Sequence, residues 1–232
     1  MNYKHALSAP IFEIISKSSE QLGFDSYVIG GYVRDFILDH GSKKDIDIVA
    51  VGSGIDLAQK VSQLLPNKPK VQVFKTYGTA MLRFKDVEIE FVGARKESYS
   101  DDSRNPDVTE GTLQDDQNRR DFTINALALS LNDENFGELL DPFNGIKDLE
   151  NKIIKTPLNP DITYSDDPLR MMRAIRFATQ LNFIIEDESL SSIGENATRL
   201  EIITRERIVD ELNKIMLSKK PSIGFLLLEK TG

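Results

Sequence analysis

Two aspartates in the segment Asp45-Ile46-Asp47-Ile48 constrain this chain more than any other feature. Side chains at i and i+2 of a β-strand point to the same face of a sheet, so the two carboxylates would lie side by side while the isoleucines pack on the other face. Adjacent carboxylates repel each other unless a cation lies between them, and their hard oxygen atoms suit Mg²⁺. The segment therefore predicts a strand that carries two metal ligands, Asp45 and Asp47.

A glycine pair precedes these aspartates, and thirteen residues separate Gly31 from Asp45. Residues 27–35 predict a short apolar strand, a turn at Gly30 and Gly31, and the start of a helix. Backbone N–H groups at such a turn and helix N-terminus attract phosphate, and Arg34 is available as a charge partner. Either feature alone would indicate no more than a solvated strand edge or a tight turn. Together they indicate an enzyme that handles a nucleoside triphosphate.

The spacing of apolar residues in the first part of the chain predicts an α+β fold, a mixed sheet with helices on one side. Helical spacing predicts helices, the first of them ending at Gly23, over 11–22, 32–38 and 55–65. Short apolar or alternating runs predict strands over 27–30, 45–51, 71–74, 79–84 and 87–92.

The middle of the chain is less regular. Residues 96–117 are polar and without periodicity, which predicts a long loop. The sequence leaves open whether this loop is a floppy surface segment or a mobile flap over an active site. Residues 119–128 then predict a helix.

The last third of the chain predicts a helical unit. Helices are expected at about 166–180, 187–198 and 204–217. Residues 156–164, rich in Pro and Asn, mark a boundary. We expect an α+β first domain over 1–155 and a helical second domain over 156–232.

A two-metal site usually needs a further anionic ligand from a neighbouring strand. Glu88 and Glu90 share the polar face of the predicted strand 87–92, so either could reach Asp45 and Asp47. Both could instead be solvent-facing residues of an antiparallel strand. The residue pattern alone leaves this choice open.

The predicted helix that opens at Asp166 carries four charged residues at steps of three, namely Asp167, Arg170, Arg173 and Arg176. This spacing places them along one slanted face, which could be simply a solvated surface. All three cations are arginines, whose planar forks of donors can read a base edge. An aspartate that accepts from an exocyclic amino group, beside an arginine that donates to the adjacent acceptor, would fit cytosine and adenine and reject uracil and guanine. Such a pair would select C and A without a template.

Composition excludes several other classes of site. The chain has no cysteine and only two histidines, His5 and His40, so disulfides and thiolate metal sites are excluded and zinc catalysis is not expected. The sequence contains no apolar run of the ~18 residues needed to span a bilayer and no secretory signal, so we expect a cytoplasmic protein without a membrane partner. The net charge of −8 arises within residues 1–150, where acidic metal ligands are expected.

Seven segments between Tyr27 and Met216 carry a family resemblance. In order they are Gly30-Gly31-Tyr-Val-Arg34-Asp35, Lys44-Asp45-Ile-Asp47, Ile89-Glu90-Phe-Val-Gly-Ala-Arg95, Arg119-Arg-Asp-Phe-Thr-Ile-Asn-Ala126, Asp141-Pro-Phe-Asn-Gly145, Asp166-Asp-Pro-Leu-Arg-Met-Met-Arg-Ala-Ile-Arg-Phe177 and Glu206-Arg-Ile-Val-Asp-Glu-Leu212. Together they resemble the class II CCA-adding tRNA nucleotidyltransferases of the polymerase-β-like superfamily, a family that also contains the bacterial poly(A) polymerases.

The resemblance implies a role for each matching residue. It favours Glu90 over Glu88 as the third carboxylate. The implied catalytic and metal-binding residues are Asp45, Asp47 and Glu90, with Mg²⁺ as the cofactor. The implied nucleotide-binding residues are Gly30, Gly31 and Arg34 at the triphosphate, Arg120, Asp121 and Asn125 near the sugar and phosphates, and Asp167, Arg170, Arg173 and Arg176 at the base pocket.

The resemblance also implies an activity, the addition of C and A to the 3′ end of tRNA from CTP and ATP by two-metal phosphoryl transfer. Poly(A) polymerase activity, addition of only CC or only A, and a non-catalytic RNA-binding module of the same fold remain alternatives. One departure is Asp166, where the family usually has Glu. Family members are longer, so we expect this chain to be truncated before the regions that contribute most of the contacts to tRNA.

Overall fold

The structure, a computed structural model, describes residues 1–41, 45–100 and 103–232, and for 97–100 and 103–107 it describes the backbone only. Lys44, part of one quoted motif, therefore lies outside the described residues. The chain forms two compact units. Unit 1 consists of Met1–Lys96, Val108–Gln117 and Asn125–Pro142. Unit 2 consists of Glu97–Asp107, Asn118–Ile124 and Phe143–Gly232.

The helices and strands alternate in the first part of the chain, and helices dominate the last part. The helices, in chain order, are α1 Pro10–Leu22, α2 Gly31–Ile37, α3 Gly54–Leu64, α4 Leu113–Asn118, α5 Gly145–Asn151, α6 Pro160–Asp166, α7 Leu169–Leu181, α8 Asp187–Asn196, α9 Arg205–Met216 and α10 Pro221–Thr231. The strands are β1 Ser26–Ile29, β2 Asp45–Ala50, β3 Gln72–Phe74, β4 Thr79–Phe84, β5 Val87–Gly93, β6 Arg95–Ser100, β7 Ser103–Glu110, β8 Ala128–Ser130, β9 Leu139–Leu140, β10 Ile153–Ile154 and β11 Ile184–Ile185. In the described part of the chain, no helix is long and apolar enough to cross a membrane.

A mixed seven-stranded sheet forms the centre of unit 1, with the order β3-β4-β5-β2-β1-β8-β9. Only the β2–β5 pair is parallel among the pairs described in this sheet. The apolar residues of the two central strands, including Ile46, Ile48, Ile89 and Phe91, are buried on the core side. The prediction of an α+β fold built on a mixed sheet is thus confirmed.

The predicted loop over 96–117 is wrong for the residues that the structure describes. Strands β6 and β7 pair with each other in a separate two-stranded sheet, and α4 follows. A two-stranded sheet leaves an open edge on both strands, so it accepts polar residues and even Pro106, which cannot donate a ladder hydrogen bond. The two alternatives for this segment, a floppy surface segment and a mobile flap, both assumed a loop, and that assumption is wrong for the described residues.

The predicted helix over 119–128 is also wrong. The segment contains a short 3₁₀ turn at Thr123–Asn125 and then enters strand β8, which pairs with β1 through the register Tyr27↔Ser130. Residues 121–130 are all buried. Burial on every side and pairing within the sheet outweigh the helical propensity of the alanines and leucines.

Apart from the parts of β6 and β7 within Glu97–Asp107 and the two-residue parallel pair β10–β11, the regular structure described in unit 2 is helical. The predicted helix at 166–180 begins three residues later, at Leu169, because a separate helix, α6, precedes it and ends at Asp166. The start of α6 could have been predicted. The side chain of Asn159 accepts the N–H of Asp161 at 2.8 Å, and a proline occupies the first helical position, as is typical of a helix N-terminus.

Candidate functional site

Strand register places four carboxylates on one face of the sheet in unit 1. In the parallel β2–β5 pair, Asp45 is opposite Glu88 and Asp47 is opposite Glu90. Directly opposed residues of neighbouring strands point to the same face, and the residue between the aspartates, Ile46, is buried on the other face. The strand backbone therefore places Asp45 and Asp47 on the same face of the sheet, as predicted. Glu88 and Glu90 lie on that face as well.

The two glutamates lie opposite different residues of the neighbouring strands. The carboxylate of Glu88 forms an ion pair with Arg83, whose Nη2 lies 2.6 Å from its Oε1, on the strand pair in which these residues are directly opposed. Glu90 is opposite Asp47 on one side and Met81 on the other. Of the two, Glu90 thus lies beside Asp47, the less exposed of the two aspartates.

The donor chemistry of this face suits a hard divalent cation, because carboxylate oxygens are the ligands that Mg²⁺ prefers. Among the described residues, no three His, Cys, Asp or Glu side chains are gathered closely enough to hold a metal ion. The register therefore fixes which backbone positions can contribute ligands, but the side chains do not form a closed ligand cluster.

The glycine turn begins next to the aspartate strand. Ile29, the last residue of β1, is opposite Asp47. Gly30 follows with φ 82° and ψ −134°, a conformation open essentially to glycine alone, and its N–H donates to the carbonyl of Leu127 at 3.1 Å. Gly31 then opens α2, and no side chain of the described residues caps that N-terminus. The sequence prediction of strand, glycine turn and helix is confirmed.

Arg34 lies in α2 with its guanidinium buried. Its Nε and Nη2 donate to the two carboxylate oxygens of Asp35 at 2.8 and 3.0 Å, and its Nη1 donates to Oδ1 of Asn125 at 2.6 Å. The side chain of Asp35 is 2% exposed. A bidentate pair of this kind is rigid. Arg34 therefore links the start of α2 to Asn125, a second residue predicted to bind nucleotide.

In unit 2, Asp121 and Arg173 form an ion pair across 52 positions of sequence. The Nη2 of Arg173 lies 2.6 Å from Oδ2 of Asp121, and its Nε donates to the same oxygen at 2.8 Å. The Asp121 carboxylate raises the pKa of Arg173, which stays charged. Arg120, the neighbouring residue that is also predicted to bind nucleotide, is partly buried in the same unit.

The predicted base-reading pair lies at the junction of α6 and α7. Asp167 occupies the break between the two helices, and its Oδ1 accepts the N–H of Leu169 at 3.2 Å. Arg170, in the first turn of α7, donates from Nη2 to the carbonyl of Arg119 at 2.8 Å and from Nη1 to that of Thr163 at 3.3 Å. Both side chains are thus held by the backbone around them.

Arg176 is the most buried of the predicted nucleotide contacts in this helix. Its Nε donates to Oε2 of Glu211 at 2.5 Å, its Nη1 donates to Gln180 at 2.9 Å, and its guanidinium lies 3.9 Å from the ring centroid of Phe177. Glu211, in α9, is 3% exposed. Burial alone would raise the pKa of Glu211, but Arg176 and Lys214 lower it below its ordinary value. The sequence motif included Glu211, yet nothing in its spacing pointed to Arg176.

The predicted residues thus fall into two groups, each within one unit. The group in unit 1 contains Gly30, Gly31, Arg34, Asp45, Asp47, Glu90 and Asn125. The group in unit 2 contains Arg120, Asp121, Asp167, Arg170, Arg173 and Arg176. Within each group the structure brings residues distant in sequence into contact, and their roles toward a nucleotide remain predictions.

Comparison with known proteins identifies the family of the chain. Residues 26–155 match the poly A polymerase head domain, and residues 182–232 match the probable RNA and SrmB-binding site of polymerase A. The CCA-adding enzyme of Limosilactobacillus reuteri is 38% identical over 229 residues, covering 98% of this chain and 54% of that protein. The A-adding tRNA nucleotidyltransferase of Aquifex aeolicus is 38% identical over 189 residues, covering 81% of this chain and 22% of that protein.

A solved structure is similar over nearly the whole chain. It is a tRNA nucleotidyltransferase complexed with a primer tRNA and an incoming ATP analogue, at 31% identity and a TM-score of 0.81, and the match covers 94% of this chain and 60% of that one. The chain spans about half the length of the CCA-adding relative it matches. With a family match over more than half of its residues, this chain belongs to the nucleotidyltransferases that carry the poly A polymerase head domain, a family that generally uses divalent metal ions.

Proposed function

We propose that the chain is the catalytic part of a template-independent nucleotidyltransferase that adds C and A to the 3′ end of tRNA from CTP and ATP. The observation that carries the proposal is the strand register that opposes Asp47 to Glu90 on the face shared with Asp45, next to the turn at Gly30. In the reaction the terminal 3′-hydroxyl oxygen of the RNA attacks the α-phosphorus of the nucleotide. The bond to the pyrophosphate oxygen breaks, and pyrophosphate leaves.

Mg²⁺ is the cofactor that this face would hold, through Asp45, Asp47 and Glu90. When bound, two such ions would lower the pKa of the attacking hydroxyl and neutralise charge on the leaving pyrophosphate. The protein would supply these three carboxylates from neighbouring positions of the paired strands β2 and β5. Glu90 rather than Glu88 is assigned to this set because the register places Glu90 opposite Asp47, the less exposed of the two aspartates.

The glycine turn contributes the triphosphate contacts. A side chain added at Gly31 would meet nothing nearer than the Nη2 of Arg34, at 3.7 Å, so the fold itself does not require glycine there. A glycine that the fold does not need supports close approach of a ligand to the backbone N–H groups of the turn. Arg34 has a supporting part in this scheme. It holds Asn125 and the start of α2 in place.

Base selection belongs to the junction of α6 and α7. Asp167 accepts the exocyclic amino group of cytosine or adenine, and Arg170 donates to the neighbouring ring nitrogen or carbonyl. Uracil and guanine present an acceptor where cytosine and adenine present the amino group, so an acceptor of the base would face the carboxylate of Asp167. Arg173 and Arg176, fixed by Asp121 and Glu211, support this pocket.

The proposal also includes the domain organisation and the cellular setting. Residues 1–155 form the nucleotidyltransferase head and residues 156–232 the helical neck. The name of the relative from Limosilactobacillus reuteri supports C and A as the nucleotides added. The primer tRNA in the similar complex supports tRNA as the partner. The absence of cysteine is compatible with the cytoplasm as the location.

The test compares two neighbouring glutamates. Glu90→Gln should reduce Mg²⁺-dependent addition of AMP to a tRNA that lacks its terminal A by at least roughly 100-fold, since it removes a metal ligand. Glu88→Gln, on the same strand and face, is the matched control and should change the rate by less than about threefold. Equal losses in both variants, or no loss in either, would remove the assignment of Glu90.

A second candidate is an enzyme that adds only the terminal A, because the relative from Aquifex aeolicus is an A-adding tRNA nucleotidyltransferase. Incubating tRNAs that end before C74, before C75 and before A76 with each nucleotide separates the two. Addition of C to the first two substrates supports the CCA-adding activity. Addition of A alone to the third supports the A-adding one, and long runs of A on any RNA would indicate poly(A) polymerase.

A further inference from the structure

The break between α6 and α7 is held by arginines from three separate segments of unit 2. Arg170 comes from α7 itself and donates to the carbonyl of Thr163. Arg199, in the turn before α9, donates from Nη2 to the carbonyl of Ser165 at 2.9 Å. Arg207, in the first turn of α9, approaches Asp167. Cations at the C-terminus of a helix interact favourably with its exposed carbonyls, so this set stabilises the last turn of α6.

The carboxylate of Asp167 is contacted at both oxygens. Its Oδ1 accepts the N–H of Leu169 at 3.2 Å, which fixes one side of the carboxylate to the start of α7. Its Oδ2 lies 3.7 Å from Nη2 of Arg207. The Arg207 side chain is 42% exposed and that of Asp167 23% exposed, so this ion pair lies at the surface of the unit. Together the two contacts restrict rotation of the carboxylate about its Cβ–Cγ bond.

We propose that Arg207 is a positioning residue that sets nucleotide selectivity through Asp167. This inference rests on the proposed function, in which Asp167 reads the amino group of the base. With Oδ1 engaged by Leu169, the oxygen available to the base is Oδ2, and Arg207 holds that oxygen in one place. A fixed acceptor rejects the carbonyl of guanine or uracil, because two acceptors then face each other.

Loss of Arg207 should act mainly on the wrong nucleotides. Without its contact the carboxylate can turn away from a carbonyl, so GTP and UTP bind better while ATP and CTP lose little. An exposed ion pair contributes up to about 1 kcal/mol, which corresponds to a change of roughly fivefold in the ratio of affinities. Because the contact is between point charges rather than bidentate, a lysine at this position should restore it.

The experiment measures the dissociation constants of ATP, CTP, GTP and UTP for the 232-residue chain with Mg²⁺, using competition against a fluorescent ATP analogue. Arg207→Ala should lower the ATP/GTP and CTP/UTP selectivity by roughly fivefold, and Arg207→Lys should return most of it. Arg205→Ala is the matched control, since Arg205 is an exposed arginine two residues earlier in the same helix. It should leave both ratios unchanged. Thermal unfolding of each variant shows that the helices remain folded.

Two results separate this inference from the function on which it rests. If the wild-type chain binds all four nucleotides equally, the base-reading function is overturned and the role of Arg207 with it. If the wild type prefers ATP and CTP, and Arg207→Ala keeps that preference, only the role of Arg207 is overturned. A selectivity loss in Arg207→Ala that Arg207→Lys reverses supports it.

Discussion

The two groups of predicted site residues are positioned in different ways. In unit 1 the carboxylates of Asp45, Asp47 and Glu90 project from paired strands, and the backbone hydrogen bonds of the sheet decide which of them are neighbours. In unit 2 the side chains position one another. Asp121 holds Arg173, and Glu211 holds Arg176, through ion pairs between segments far apart in the chain.

This difference determines what a substitution does. A residue that the backbone positions can lose its charge without disturbing its neighbours, because the sheet keeps its register. A buried residue that positions another leaves an uncompensated charge behind when it is removed. Substitutions in the carboxylate group should therefore affect chemistry, and substitutions in the arginine group should affect stability first.

The largest effect is expected for Asp47→Asn. The amide cannot ligate a metal as a carboxylate does, so nucleotide addition should fall by at least roughly 1000-fold. The free energy of unfolding should change far less than the activity, because the backbone hydrogen bonds of the sheet keep the strand register. Addition assays with a shortened tRNA measure the loss of activity, and urea denaturation measures the free energy of unfolding.

Asp56→Asn is a suitable control for this prediction, because Asp56 lies in the exposed first turn of α3 and belongs to neither group. It should keep its activity. A marked loss of stability in Asp47→Asn would break the comparison, since it would mean that this carboxylate, too, holds the fold together.

The same difference explains what the sequence could predict. The period of two along a strand predicted that Asp45 and Asp47 lie on the same face, and the two glycines predicted the turn. Both features depend only on local backbone geometry. The choice between Glu88 and Glu90 depends on which glutamate lies opposite which aspartate, a register that joins strands far apart in the chain. Sequence pattern alone could not resolve it.

The arginine group was predicted less completely. The sequence predicted its residues but not the partners that hold them, because Asp121 and Arg173 are 52 positions apart and Arg176 and Glu211 are 35 positions apart. Such contacts depend on how helices pack, which residue spacing does not encode. The wrong helix over 119–128 has the same origin, since sheet pairing and burial overrode local propensity.

The second prediction concerns Glu211→Gln. Removing this carboxylate leaves the guanidinium of Arg176 buried without a charge partner, so the free energy of unfolding should fall by about 3 kcal/mol. Urea denaturation at neutral pH measures this loss. Glu206→Gln is the control, since Glu206 is exposed in the first turn of the same helix, and it should change stability by less than about 0.5 kcal/mol.

The pH dependence of stability gives an independent check on this pair. The pKa of Glu211 lies below its ordinary value of 4.5 in the folded chain. A carboxyl whose pKa is lowered by folding stabilises the fold above its ordinary value and loses that contribution as the pH falls through the folded value. Wild-type stability should therefore drop on acidification below about pH 4.5, and Glu211→Gln should show a smaller drop. Parallel curves for the two proteins would contradict the pairing.

The smallest effect is expected at the glycine turn, where two adjacent glycines should behave differently. At Gly30 the φ of 82° strains any other residue, so Gly30→Ala should destabilise the fold by about 1–3 kcal/mol. At Gly31 an added methyl group meets only the Arg34 guanidinium at 3.7 Å, so Gly31→Ala should fold as well as the wild type. The methyl group would nevertheless occupy the space that a phosphate oxygen needs, and ATP affinity should fall by roughly tenfold, equivalent to about 1.4 kcal/mol.

Equilibrium binding of ATP with Mg²⁺, together with urea denaturation, separates these two outcomes. If Gly31→Ala is fully stable but binds ATP more weakly, then Gly30 is required by the fold and Gly31 by the ligand. If Gly31→Ala binds ATP as tightly as the wild type, the triphosphate lies elsewhere, and the unit 1 group reduces to its carboxylates. If it unfolds more easily instead, Gly31 belongs with Gly30 as a residue that the turn itself requires.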